Sequence, residues 1–267
     1  AGMEGVGALA ALGFLVNFQP SEPYLTQYLL QAKNLSATEL ASDVFPWSTA
    51  GTFALLLPFA LLAEVIGMRP VIFLGLLCRE ATRVVLLFAS GVQWMACMQV
   101  TYAGGVAANT IYFAYVYSVV PAAAYSLATS LVLASYHAGN VLGALAAQLL
   151  VSSAPAVASD LRPLFYLSWL FTTLGALAFW RLPPPSRAPP PAVARLLLRR
   201  GAAATAREAA AAYAATEARG WLLWWMLGLS AQTVVGNYFQ LQMAQMSETV
   251  LYGLLEAALE LALVAGA

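Results

Sequence analysis

Gly13-Phe-Leu-Val-Asn-Phe-Gln-Pro-Ser-Glu-Pro-Tyr-Leu-Thr-Gln-Tyr-Leu-Leu30 is a hydrophobic helix pattern broken near its middle by Pro20 and Pro23, with Glu22 between them. A proline inside a helix removes one backbone hydrogen bond and crowds the preceding turn. A carboxylate in hydrocarbon costs roughly 2.5–3.5 kcal/mol on insertion scales. Glu22 therefore either faces a wet cavity or a partner, or lies at an outer helix end in solvent. Membrane helices tolerate such breaks where the freed backbone lines a cavity. This is the reading that makes the stretch functional.

Composition fixes the solvent. The chain is 61% hydrophobic and 9% charged, against about 25% charged residues in soluble domains. It reads as an all-α, polytopic membrane protein whose partner is the lipid bilayer. Formal net charge is zero, so nothing argues for nucleic acid. Cys78 and Cys97 lie far apart in apolar runs, and His137 is the only histidine. No disulfide framework, metal site or cofactor is expected. No nucleophile–base pair suggests an enzyme. There is no cleavable signal pattern, and the first apolar segment reads as a span. Both ends read as cut: the chain lacks a starting Met and stops inside the apolar run Leu254 to Ala267.

A span needs about 20 mostly apolar residues. The first runs from about Val6 to Leu30. A polar segment, Gln31 to Asp43, holds the sequon Asn34-Leu35-Ser36. The second begins near Phe45-Pro46-Trp47, and Glu64 and Arg69 bracket a very short turn. The third is Pro70 to Ser90, the fourth Trp94 to Val120, the fifth Ala124 to Ser152 and the sixth Pro163 to Trp180. Residues 1–182 would form a six-span half. Residues 183–220 form a Pro-, Ala- and Arg-rich linker, either a disordered tether or partly an interfacial helix. Residues 221–267 hold a seventh span and part of an eighth.

Positive loops stay cytoplasmic. The arginine-rich linker is then inside, and six crossings put the N-terminus inside too. The Asn34 loop faces outside, where a glycan could be added. Six spans, a basic linker and further spans is the layout of a major facilitator transporter, with two halves around a midplane site.

The polar residues within the spans are the candidate site. Arg79, Glu80 and Arg83 share the third span. A Glu80–Arg83 ion pair is the structural reading, and an arginine that draws an anionic substrate is the functional one. Asn109, Tyr112 and Tyr115 on the fourth span could line a cavity or hydrogen-bond between helices. His137 could relay protons or make a structural hydrogen bond. Gly139 and Gly143 read as close helix packing. The amides of the seventh span, Asn237 among them, should face the bundle, and Glu256 and Glu260 cannot both face lipid.

The chain resembles the reduced folate carrier and thiamine transporter family of the major facilitator superfamily. The resemblance rests on an ordered set of pieces: Pro20-Ser-Glu-Pro-Tyr-Leu25, Asn34-Leu-Ser36, Phe45-Pro46, Leu55-Leu-Leu-Pro58, Arg69-Pro-Val-Ile72, Met98-Gln-Val100, Ala114-Tyr-Val-Tyr-Ser-Val-Val120, Gln148-Leu-Leu-Val151, Trp221-Leu-Leu-Trp-Trp225 and Asn237-Tyr238. It implies uptake of a water-soluble vitamin at the plasma membrane. It also implies that Glu22, Phe45 and Tyr112 lie at the substrate site. A carboxylate beside aromatic faces suits a cation, so thiamine is favoured over folate or another organic anion. Asn109 stands where the thiamine branch is acidic and the folate branch basic. Ser48 stands where the family has tryptophan, with Trp47 beside it. Gln19 replaces the usual arginine before Pro20, and the arginines that normally follow the fourth span are missing around Tyr125. A non-transporting membrane receptor or scaffold is the alternative of another class.

Overall fold

The computed structural model describes residues 2–185, 207, 219–220, 224, 227, 236, 238–244 and 251–265. Among the described residues the chain is helical and carries no strand. Asn237 and nearly all of the expected linker lie outside them.

The first expected span is a helix, a break and a second short helix. Helix α1 (Gly2–Asn17) is followed by a tight turn at Glu22–Tyr24 and by α2 (Leu25–Gln31). The polar connection after it is shorter than the sequence suggested. Ser36 accepts a hydrogen bond from the Glu39 backbone N–H, and the Glu39 carboxylate accepts one from the Ser36 N–H. This reciprocal cap starts a helical turn, α3 (Ala37–Glu39), as the Ser-x-x-Glu spacing allows. A wide turn at Leu40–Val44 carries it into α4 (Pro46–Ile66).

Helices α5 (Met68–Phe88), α6 (Val92–Val119) and α7 (Tyr125–Ser153) follow. Then come the short α8 (Pro155–Ser159), α9 (Arg162–Ala178) and, after the linker, α10 (Tyr252–Ala265). The α4–α5 and α5–α6 turns close on Gly67 and Gly91, with φ of 94° and 97°. Side chains with a Cβ rarely adopt that conformation.

Among the described residues three segments are long and apolar enough to cross a bilayer: Ala37–Ala63, Ala122–Ser153 and Arg162–Arg181. Helix α5 has 21 residues but carries Arg69, Arg79, Glu80 and Arg83. The outer surface bears exposed large apolar side chains, among them Phe53, Leu57, Phe88, Leu149 and Trp180. That is what hydrocarbon contact calls for, since the usual polar covering is missing.

Helix α6 packs on α4 and α5, while α1 packs on α7 and α9, and α10 lies along α7. Two buried apolar clusters result. One gathers Leu9, Ile72, Ile111, Tyr115 and Phe179, and the other Tyr28, Phe45, Met95, Leu164 and Tyr252. On the helices that cross both, the buried polar residues fall between them: Asn17 to Ser21, Arg79 to Arg83, Gln99, Ser168 and Thr172. The interior is thus a polar layer between two apolar plugs.

Helices α1 and α7 approach closely enough to need glycine. A Cβ at Gly139 would lie 2.6 Å from the Phe14 carbonyl oxygen, and one at Gly143 would lie 2.8 Å from the Gln19 nitrogen. Both neighbours are backbone, so α7 must move. Gly143→Ala is expected to destabilise the protein by about 1–3 kcal/mol through overpacking. Gly7→Ala, with nothing within 4 Å, should leave the melting temperature level or slightly raised. Thermal melts of the two variants check this. Equal melting temperatures would mean α7 yields at little cost.

Candidate functional site

The break at residues 17–24 is built from side chains that replace lost backbone bonds. Pro20 has no N–H to give the Val16 carbonyl. The Gln19 amide donates to that oxygen instead, at 2.5 Å. Asn17 Nδ2 donates to the Gly13 carbonyl at 2.7 Å, and the Ser21 N–H donates to Ser168 Oγ at 2.9 Å. The chain can then leave the helix with its polar groups satisfied, which burial in an apolar bundle requires.

Arg83, reaching across from α5, ties this break together. Its guanidinium donates to Ser21 Oγ at 3.1 Å, to Gln19 Oε1, and to Glu22 Oε1 at 3.0 Å. Arg83 is buried, whereas the Glu22 side chain is 31% exposed. Glu22 is therefore a partly open carboxylate held from below by a buried cation. The expected Glu80–Arg83 pair does not form. Three positions apart, the two share a helix side, but Glu80 turns to α9, accepting hydrogen bonds from Trp169 Nε1 at 2.6 Å and from Thr173 Oγ1. Its charge is met by neutral donors.

Beside the break, α1, α5 and α6 enclose a cleft lined by Gly13, Asn17, Arg79, Gly105, Asn109 and Tyr112 among others. Arg79 is buried and donates to Asn109 Oδ1 at 3.2 Å. Gly105 makes room for it: a Cβ there would lie 2.8 Å from Arg79 Cγ. The Tyr112 hydroxyl donates to the Leu9 carbonyl at 2.7 Å. Asn109 and Tyr112 thus line this cleft and also bond between helices, whereas Tyr115 does not line it. It lies fully buried in the first apolar cluster, and its hydroxyl donates to the Pro183 carbonyl.

Phe45 is buried outside this cleft, edge-on to Tyr238 with ring centres 6.2 Å apart. Ser48 is buried and donates to the Phe45 carbonyl, while Trp47 is 51% exposed. Trp47 therefore points away from the interior. Gln240, two residues beyond Tyr238, donates to the Glu22 carbonyl at 3.2 Å and accepts from Thr26 Oγ1. Asn34 is exposed.

A second polar contact joins α7 to α10. His137 Nδ1 and Glu260 Oε2 are 2.7 Å apart, and Asn140 Nδ2 donates to Glu260 Oε1 at 3.1 Å. Further along, Gln148 Oε1 accepts from both the Tyr24 hydroxyl and the Gly253 N–H. Glu256, one turn before Glu260, is half-buried. No group of metal-ligating side chains occurs among the described residues.

The long-range contacts of Gln19, Ser21 and Gln148 were not legible in the sequence, because their partners lie 62 or more residues away. Only the prolines at 20 and 23 marked where compensating side chains would be needed.

Comparison with known proteins agrees with this helical architecture. The family described as Reduced folate carrier matches residues 6–189. The chain is 39% identical to human Thiamine transporter 2 over 151 residues, 55% of this chain and 30% of that protein. It is 33% identical to human Thiamine transporter 1 over 179 residues, 66% of this chain and 35% of that protein. It is 32% identical to Folate transporter 1 of Caenorhabditis elegans over 146 residues, 54% of this chain and 32% of that protein. The matched region spans about a third of the length of each of these relatives. With a helical bundle, membrane-length apolar helices and a family match over more than half of its residues, the chain belongs to the reduced folate carrier family.

Proposed function

We propose that the protein is a secondary transporter of a water-soluble vitamin, not an enzyme, and that it works by alternating access. The observation that carries this is the broken first helix. Its Glu22 carboxylate is partly open and is held by Arg83, and the start of the break, at Asn17, lines a polar cleft within an apolar bundle. Discontinuous helices at midplane are where such carriers place substrate.

In this reading residues 1–182 are one six-span half, 183–220 the cytoplasmic linker, and 221–267 the start of the second half. The protein sits in the plasma membrane with its N-terminus in the cytoplasm. The α7–α10 contact then crosses between halves that rock. A free carboxylate at Glu22 would favour thiamine. Its pairing with Arg83 removes that advantage, so thiamine and folate are both test substrates.

The test is uptake of labelled thiamine and labelled folate by cells expressing the full-length protein. Accumulation of at least one above mock-transfected cells is expected, and accumulation of neither sinks the vitamin reading. Topology has its own check. Asn34 is exposed in the turn ahead of the Ser36 cap. Asn34→Gln is expected to remove one glycan-sized gel shift. No shift in either protein would leave the outward assignment of that loop without its glycan support.

A further inference from the structure

Beyond the linker, the chain packs back on the first span and on α7 along one seam. The Tyr24 hydroxyl and the Gly253 N–H both donate to Gln148 Oε1, at 3.1 Å each. The Tyr24 and Tyr252 rings meet edge-on, with centres 5.7 Å apart. A Cβ at Gly253 would collide with the Ala144 carbonyl oxygen and lie 2.6 Å from Gln148 Cβ, so α10 rests on the backbone of α7. The seam continues across the first span. Gln240 accepts from the buried Thr26 hydroxyl and donates to the Glu22 carbonyl, and the Tyr238 hydroxyl donates to the Ala41 carbonyl. Leu241 and Tyr252 belong to the same apolar cluster as Leu35, next to the sequon residue Asn34. In the orientation proposed above, the seam therefore lies on the extracellular side.

We propose that this seam is the extracellular gate of the carrier, shut in this structure, with Gln148 as its latch and Gly253 as the bare position that lets it close. This rests on the transporter reading above and names the contacts that part when substrate enters from outside. Three features fit a gate. Gln148 Oε1 is shared by the first span and α10, and the amide is held in that direction by donating to Ser152 Oγ at 3.0 Å. The contacts at Tyr24, Thr26, Ala41 and Gln148 are all between neutral groups, which part and re-form more readily than a buried ion pair. At Gly253 no side chain interleaves, so the two helices can separate as rigid bodies, the motion by which such carriers alternate. Packed interfaces of this kind have discrete arrangements, not a continuous range. A side chain added at Gly253 must therefore favour the parted one.

The experiment uses the full-length protein at the surface of intact cells and a membrane-impermeant thiol reagent applied outside. Thr26→Cys is the reporter, since Thr26 is 2% exposed within the seam. Ala107→Cys is the control for folding, since Ala107 is buried in the inner apolar cluster. Each is compared with the same protein lacking the introduced cysteine. Uptake of labelled thiamine and labelled folate is measured in parallel. In the Gly253→Val background Thr26→Cys is expected to react at least ~5-fold faster than with glycine in place. Ala107→Cys should react no faster, and uptake should fall to near background because the gate cannot close. Gln148→Leu, which removes the shared acceptor at similar volume, should give a smaller rise at Thr26→Cys.

Equal labelling of Thr26→Cys with glycine and with Gly253→Val overturns the proposal, as does faster labelling beside undiminished uptake. Faster labelling of both reporters, or loss of Gly253→Val from the cell surface, means the bundle has lost its packing. Gln148→Leu then decides: a rise at Thr26→Cys alone supports the gate, and no rise, or a rise at both reporters, overturns it. Wild-type protein that takes up neither vitamin, while Gly253→Val still exposes Thr26→Cys alone, would refute the vitamin reading and leave the gate standing. Uptake by the wild type with labelling unmoved would do the reverse.

Discussion

Glu22→Gln in the full-length protein is expected to reduce uptake to background while the protein still reaches the cell surface. The two halves of that expectation have separate physical grounds. Surface expression survives because Arg83 keeps two neutral acceptors, Gln19 Oε1 and Ser21 Oγ, after the carboxylate is gone. Breaking a buried ion pair from one side costs about 3–5 kcal/mol when nothing replaces the partner. Here Glu22 is 31% exposed and Arg83 stays hydrogen-bonded, so about 1–2 kcal/mol is the expected loss. A membrane protein tolerates that. Uptake fails because, in the proposed cycle, the break works around this charged contact between the first and third spans. Arg83→Gln is the complement: it releases the Glu22 carboxylate and should make thiamine a stronger competitor. Undiminished uptake by Glu22→Gln at equal surface abundance would remove Glu22 from the transport cycle.

The sequence carried more of the fold than of the site. Helices α4, α5, α6, α7 and α9 begin and end within a few residues of the apolar runs that announced them, because lipid demands continuous apolar length. The break in the first span was legible from Pro20 and Pro23, since proline acts on its own backbone. The cap that starts α3 was also written locally, as Ser36-x-x-Glu39, though the segment reads as polar connection by composition. Pairing of charges was not legible. Glu80 lies three residues from Arg83, a spacing that allows a pair, yet the pair forms between Arg83 and Glu22, 61 positions apart. Local spacing shows which side chains can meet on one helix, not which helix stands opposite. Tyr115 shows the same limit. It follows Tyr112 by three residues, but its hydroxyl lies one turn further from the polar layer and meets the chain leaving α9.

The α7–α10 contact gives the second large effect. His137→Leu removes the ring from Glu260 and leaves that carboxylate with only the Asn140 amide. Both side chains are largely buried, at 21% and 15% exposure. The loss should therefore be about 3 kcal/mol, the lower end for one partner taken from a buried pair. At about 2–4 °C per kcal/mol, the melting temperature should fall by several degrees. Adding Glu260→Leu should recover most of it, since an apolar pair of similar volume leaves no stranded charge. A double variant no more stable than the single would mean the destabilisation comes from lost packing of the ring.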